Sequence, residues 1–201
     1  GPDSNTSNYG SVRVYQYNGS SWDETGEIVG SNRDKSGDTV SLSSDGNTLA
    51  IGSPFHDLTS DVNTDSHGTV RIYRYNGSSW NQLGQKIDGQ EDHENKPDSI
   101  SLNADGTIIS IGARFHDESN SSHKGNVQVY KYNGYLWDIV LDIDGEYGDG
   151  IGLSVSLSAD GKTVAIGQNK STNSGGSTIV YHLTDEFLNL AVNNSIILKE
   201  K

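Results

Sequence analysis

Repeated four-stranded antiparallel sheets, with no helical layer, are what this 201-residue chain predicts, and three observations predict them. One phrase is written three times, as VYQYNGSSW (14–22), IYRYNGSSW (72–80) and, blurred, VYKYNGYLW (129–137). A second recurs as VSLSSDGNTLAIG (40–52), ISLNADGTIISIG (100–112) and VSLSADGKTVAIG (155–167). Both alternate polar and apolar residues with period two, and both enclose Asn-Gly or Asp-Gly, the turn chemistry that joins two antiparallel strands.

Each phrase therefore reads as a hairpin. In the SLS-type phrase, Val40 and Leu42 alternate with Ser41 and Ser43, Asp45-Gly46 turns the chain, and Leu49-Ala50-Ile51 returns as a buried strand. In the tyrosine-rich phrase, Val70 and Ile72 point one way, Tyr73 and Tyr75 the other, and Trp80 opens the return strand after Asn76-Gly77. A strand apolar on both faces needs a neighbour on each side. The tyrosine phrase begins at Gly10, Gly68 and Gly125, with a worn copy from Gly176, so offsets between repeats run from 51 to 60 residues. Four strands in such a unit, repeated and stacked face to face, describe the blades of a β-propeller. Tyrosine and tryptophan would be the packing between blades.

The expected organisation follows from the order of hairpins. Residues 1–9 read as a flexible N-terminus, with Gly1-Pro2 as the scar of tag cleavage, and residues 10–201 as one repeat domain. That domain divides into a half blade (10–30), blades at 38–89 and 98–145, and a terminal blade at 152–201 whose last strand would come from SIILKE (195–200). DEFLNLAVNN (185–194) allows a short helical turn. About three and a half repeats leave open sheet edges, which proteins normally cover. Two copies would give seven blades, so self-association as a homodimer is expected, with a piece of a longer repeat array or a closed four-bladed monomer as the alternatives.

Composition excludes several classes. The net charge of −13 argues against nucleic acid, whose phosphates require a basic surface, and no stretch approaches the roughly 18 apolar residues of a membrane helix. The absence of cysteine removes disulfides, thiolate metal sites and Cys nucleophiles together. No G-x-S-x-G elbow, H-E-x-x-H, P-loop or dinucleotide fingerprint is present.

At SLSADGKTVAIG and AIGSP the chain resembles the FG-GAP repeats of integrin-α-type β-propellers, and more closely the tandem repeats of large surface or secreted proteins of marine microbes. The resemblance covers residues from Gly10 to about Leu183. It implies a secreted or cell-surface location and a role in adhesion, ligand display or glycan recognition rather than catalysis. Integrin-type repeats carry a D-x-[DN]-x-D-G calcium loop; here it has shrunk to SSDG, NADG and SADG. Asp45, Asp105 and Asp160 keep only the final Asp-Gly, too few oxygens for Ca²⁺, so turn formation explains them.

Binding is expected on the rim of long loops, opposite the short turns. Phe55-His56-Asp57 and Phe115-His116-Asp117 recur in equivalent loops, each followed by a second histidine, His67 or His123. His56, Asp57, His116 and Asp117 are thus candidate ligand contacts, although a loop anchored by its Phe, with Asp or His bonding to backbone, is the simpler explanation. Asp61, Asn63 and Asp65 alternate as Ca²⁺ ligands would, but the glycine is displaced to Gly68 and Ile72 stands where Glu belongs. No cofactor is expected, with Ca²⁺ on these residues, or a transition metal on the His/Asp loops, as the alternatives. Asp34, Glu94 and Asp149 occupy matching loops between repeats and could accept sugar hydroxyls or cap strand ends. The expectation is a non-catalytic adhesion or glycan-binding module with a surface glycan or protein as partner. Its alternatives are a purely structural, self-assembling repeat unit and a glycan-degrading enzyme.

Overall fold

The structure is a computed structural model, and it describes residues 9–31, 34–55, 68–89, 97–114, 124–169, 175–185 and 188. Fourteen strands in four antiparallel sheets make up the regular structure of the described residues. The fold is all-β and propeller-type, as the sequence predicts.

The first sheet is a two-stranded hairpin, β1 (Ser11–Tyr17) with β2 (Trp22–Val29). The second runs β3 (Thr39–Leu42), β4 (Thr48–Ser53), β5 (Thr69–Tyr75), with its outer strand split into β6 (Trp80–Gln82) and β7 (Ile87–Asp88), both paired to β5. The third orders β8 (Ser99–Leu102), β9 (Ile108–Ala113), β10 (Asn126–Tyr132) and β11 (Trp137–Asp144). The fourth has three strands, β12 (Ile151–Leu157), β13 (Thr163–Asn169) and β14 (Gly176–His182). The expected terminal strand at 195–200 and most of the expected helical turn lie outside the described residues; inside them, the Leu188 amide donates to the Thr184 carbonyl at 3.1 Å.

The turns differ from the expected two-residue form. Gly19 and Gly77 take positive φ, 103° and 96°, whereas the preceding Asn18 and Asn76 do not. Instead the asparagine side chain closes a four-residue loop: Asn76 Oδ1 accepts from the amides of Ser78 (2.9 Å) and Ser79 (3.0 Å). Asn18 does the same for Ser20 and Ser21, and Asn133 for Tyr135 and Leu136. Asparagine thus closes the turn through its side chain rather than through left-handed backbone.

Successive sheets stack face to face. One core joins Ala50, Val70 and Ile72 of the second sheet to Ile100, Leu102, Ile109, Tyr130 and Trp137 of the third. The other joins Val127, Val129 and Val140 of the third to Val164, Ile166 and Leu183 of the last. Hydrogen bonds also cross between sheets along the inner strands. Ser41 Oγ accepts from the Leu102 amide at 2.9 Å, and Ser101 Oγ from the Leu157 amide at 3.0 Å. At the turns, the Ser44 amide donates to the Ala104 carbonyl and the Ala104 amide to the Ala159 carbonyl. The serines that alternate with the core residues are therefore the polar seam of the stack.

Tryptophan packs between sheets only where a preceding sheet exists. The Trp137 side chain lies against Gly84, its Nε1 donates to the Leu83 carbonyl at 2.8 Å, and Gln85 bonds both its amide and its carbonyl. Trp80 lies against Gly26 in the same way. Trp22 has no preceding sheet among the described residues and is 69% exposed, against 3% for Trp137. The expectation that tyrosine and tryptophan pack between blades therefore does not extend to the first hairpin, where Tyr15 and Tyr17 are exposed too.

Candidate functional site

The connections between sheets repeat one loop. After β2, the chain runs Gly30–Gly37; after β11, it runs Gly145–Gly152. Gly30 and Gly145 donate to the carbonyls of Gly10 and Gly125, each at 3.0 Å. The backbone enters the left-handed region at Lys35 (φ 48°) in one loop and at Gly150 (φ 50°) in the other. Within each turn one carboxylate is the organiser. Asp34 Oδ2 accepts from the Ser31 amide at 3.0 Å, and Asp149 Oδ2 from the Glu146 amide at 3.3 Å. The reverse bonds, Asp34 amide to Ser31 carbonyl and Asp149 amide to Glu146 carbonyl, close both turns.

Asp34 is buried, and the Arg71 guanidinium on β5 stands 3.6 Å from its carboxylate. Asp149 is half-buried, and the side chain of Arg114 approaches the neighbouring Gly150. These two candidate residues thus hold equivalent loops together, and Asp34 does so from a position closed to solvent. The remaining candidates, His56, Asp57, Glu94, His116 and Asp117, with the calcium-like Asp61, Asn63 and Asp65, lie outside the described residues. Among the described residues no three His, Asp or Glu side chains converge as a metal site.

The opposite rim carries a hollow that sequence reasoning did not single out. A cleft of about 660 Å³ opens between the short turns, with Asp45 and Thr48 on one wall, Asp105 and Thr107 on another, and Arg74 and Tyr75 from β5. Its two carboxylates come from equivalent turns of neighbouring sheets. Asp45 is a turn former, as expected: it accepts from Ser43 Oγ at 2.6 Å and from the Asn47 amide at 2.9 Å. Those bonds, that from Ser43 first, hold its carboxyl below the ordinary carboxylate range. Asp105 accepts from the Thr107 amide (3.0 Å) and hydroxyl (2.5 Å) and is exposed. The Arg74 guanidinium, half-buried, rests 3.4 Å from the Thr48 hydroxyl. Two acids and one arginine around a polar hollow can bind a hydroxylated molecule and stabilise charge that develops on a carbonyl oxygen. The signal available in the sequence was the recurrence of Asp-Gly; what it could not show is that β5 delivers an arginine between two such turns.

Comparison with known proteins bears on the fold. No family model and no curated sequence relative matches the chain. Among solved structures it is similar to the periplasmic gluconolactonase of Pseudomonas aeruginosa, at 17% identity and a TM-score of 0.51, over 85% of this chain and 45% of that one. It is also similar to a candidate 6-phosphogluconolactonase of Bacteroides uniformis, at 8% identity and a TM-score of 0.49, over 86% of this chain and 49% of the other. A third likeness, to a candidate TolB of Agrobacterium tumefaciens, has 11% identity, a TM-score of 0.30, and coverage of 80% and 66%. The chain thus spans about half the length of the first two.

At these identities the likeness is one of fold, and it supports the coarser part of the resemblance drawn from sequence: a propeller-type chain. The FG-GAP assignment rests on sequence motifs alone. The first of these neighbours is named as an enzyme. The expectations of a non-catalytic adhesion module and of no enzymatic activity are therefore corrected towards their enzymatic alternative. The physical reason they misled is that a repeat's turns and core residues specify the propeller and leave the chemistry of its rim open.

Proposed function

We propose that the chain is one section of a propeller-type hydrolase that acts on a sugar-derived lactone or related carbohydrate ester. The observation that carries this reading is the cleft lined by Arg74, Asp45 and Asp105. Lactone hydrolysis needs a water to add to a carbonyl, charge to gather on its oxygen, and the ring C–O bond to break with a proton returned to the leaving oxygen. Arg74 would stabilise the charged oxygen. Asp105 would take the proton from water and return it. Asp45, kept ionised by its turn, would hold substrate hydroxyls. The fold likeness to a gluconolactonase supports the substrate class, and the periplasmic location of that protein supports export; no helix among the described residues is long and apolar enough to cross a membrane.

The test is hydrolysis of glucono-lactones by the purified protein. Turnover above the buffer rate is expected, falling about 100-fold in Arg74→Met, the scale of losing one oxyanion donor. Rates equal to buffer, or unchanged in both Arg74→Met and Asp105→Asn, would retire the reading.

A second reading, a structural repeat unit of a larger ring, is favoured by one observation. Each end of the stack shows a face that is buried elsewhere in the chain: Val180 is 52% exposed where its equivalents Ile72 and Val129 are fully buried. A protein inert on every lactone tested, yet gaining stability when its ends are covered, would favour it.

A further inference from the structure

Among the described residues, the first sheet lacks the two inner strands that each later sheet possesses. β5, β10 and β14 each pair on one edge with the returning strand of an SLS-type hairpin, namely β4, β9 and β13. The corresponding edge of β1 has no such partner among the described residues, since β1 pairs only with β2. The same missing hairpin leaves a bare face on β3. Val40 and Leu42 are 51% and 50% exposed, whereas their equivalents Ile100 and Leu102, covered by the second sheet, are 8% and 7% exposed.

We propose that the free edge of β1 and the Val40/Leu42 face form a receptor for one β-hairpin of the chain's own inner type, V-S-L-S-x-D-G-x-T-x-A-I-G, supplied by a further repeat. The inference rests on the fold and not on the hydrolase reading. Three sets of contacts define the occupant. Its returning strand pairs with β1 as β4 pairs with β5. Its first serine accepts from the Leu42 amide, as Ser41 Oγ accepts from Leu102 and Ser101 Oγ from Leu157. Its turn amide donates to the Ser44 carbonyl, as Ser44 donates to Ala104 and Ala104 to Ala159.

A second copy of the chain is a poorer occupant. Its terminal hairpin β12–β13 has the right sequence, but β13 is already paired with β14 on the edge that β1 would need. The seat calls for an inner hairpin whose outer edge is still open.

The experiment adds the hairpin in cis. A chain carrying residues 38–52, followed by the short connection 167–176, ahead of Tyr9 is compared with the original and with one bearing a scrambled extension. The native extension is expected to raise the melting temperature by roughly 5–10 °C, the scale of burying two aliphatic side chains in a chain of this size. The scrambled extension gives no rise. Val40→Asp with Leu42→Asp shifts the original chain by no more than about 2 °C, as surface changes do, and abolishes the gain in the extended one. Melting unchanged by the native extension overturns the proposal. So does a gain that survives the double substitution, or an original chain that sediments as a dimer which the double substitution dissociates, since the occupant would then be a second copy.

Discussion

Trp22 and Trp137 occupy the same position of the repeated phrase, and each stacks on a cross-strand tyrosine at nearly the same separation, 5.4 Å for Tyr17–Trp22 and 5.3 Å for Tyr132–Trp137. Their energetics differ because one has a sheet in front of it. Replacing Trp137 by alanine is expected to cost about 3–5 kcal/mol, the range for emptying an aromatic core site. Trp22→Ala is expected to cost under about 1 kcal/mol, as surface changes do. Urea denaturation of both variants checks the contrast. The sequence around the two sites predicts the hairpin correctly, but neither the asparagine-closed form of its turn nor the cross-strand ring pair. What it lacks is the identity of the neighbour across the face, a property of stacking order and not of local pattern. Asp45 and Asp160 offer a pH test at the same scale. Hydrogen bonds, chiefly those from Ser43 and Ser158, lower both carboxyls from their ordinary value. A carboxyl lowered on folding stabilises the chain at pH values above its unfolded pKa, and this contribution fades as pH falls through about 4 and below. Asp45→Asn should therefore lose stability relative to the parent at pH 7, and the gap should narrow on acidification; a gap constant between pH 7 and pH 3 would contradict the assignment.

At the scale of the element, the serines between the core residues of the inner strands were legible only as the polar half of an alternation. The structure makes them donors' partners across the stack: Ser101 Oγ receives the Leu157 amide. Ser101→Ala should cost about 1–3 kcal/mol, because an amide between packed sheets loses its acceptor. Ser156, the equivalent on β12, has no following sheet among the described residues and is exposed. Its alanine variant should be within about 0.5 kcal/mol of the parent. Thermal melts of the pair separate a seam from a solvated face. The loops were read less well. Asp34 and Asp149 matched as repeat positions, but equivalence alone could not distinguish a ligand contact from a loop organiser. The bonds to Ser31 and Glu146 give both residues a part in closing their loops, and Arg71 beside Asp34 was not anticipated because it sits in the adjacent sheet.

At the scale of the molecule, hairpin count and order were written in the sequence, since turn residues and period-two alternation are local. Chemistry was not: the cleft that holds Asp45, Asp105 and Arg74 is assembled from turns of different sheets, and only the stack brings them together. Its acids recur for a reason of their own, the Asp-Gly turn, which is why they could be read as structure and passed over as site. The account depends most on directional stacking, each sheet covering the aromatic face of the next and the first face left open. Acrylamide quenching of three variants that each retain one tryptophan tests this directly. Trp22 should be quenched freely, Trp80 less and Trp137 least; equal quenching of Trp22 and Trp137, or an inverted order, would contradict it.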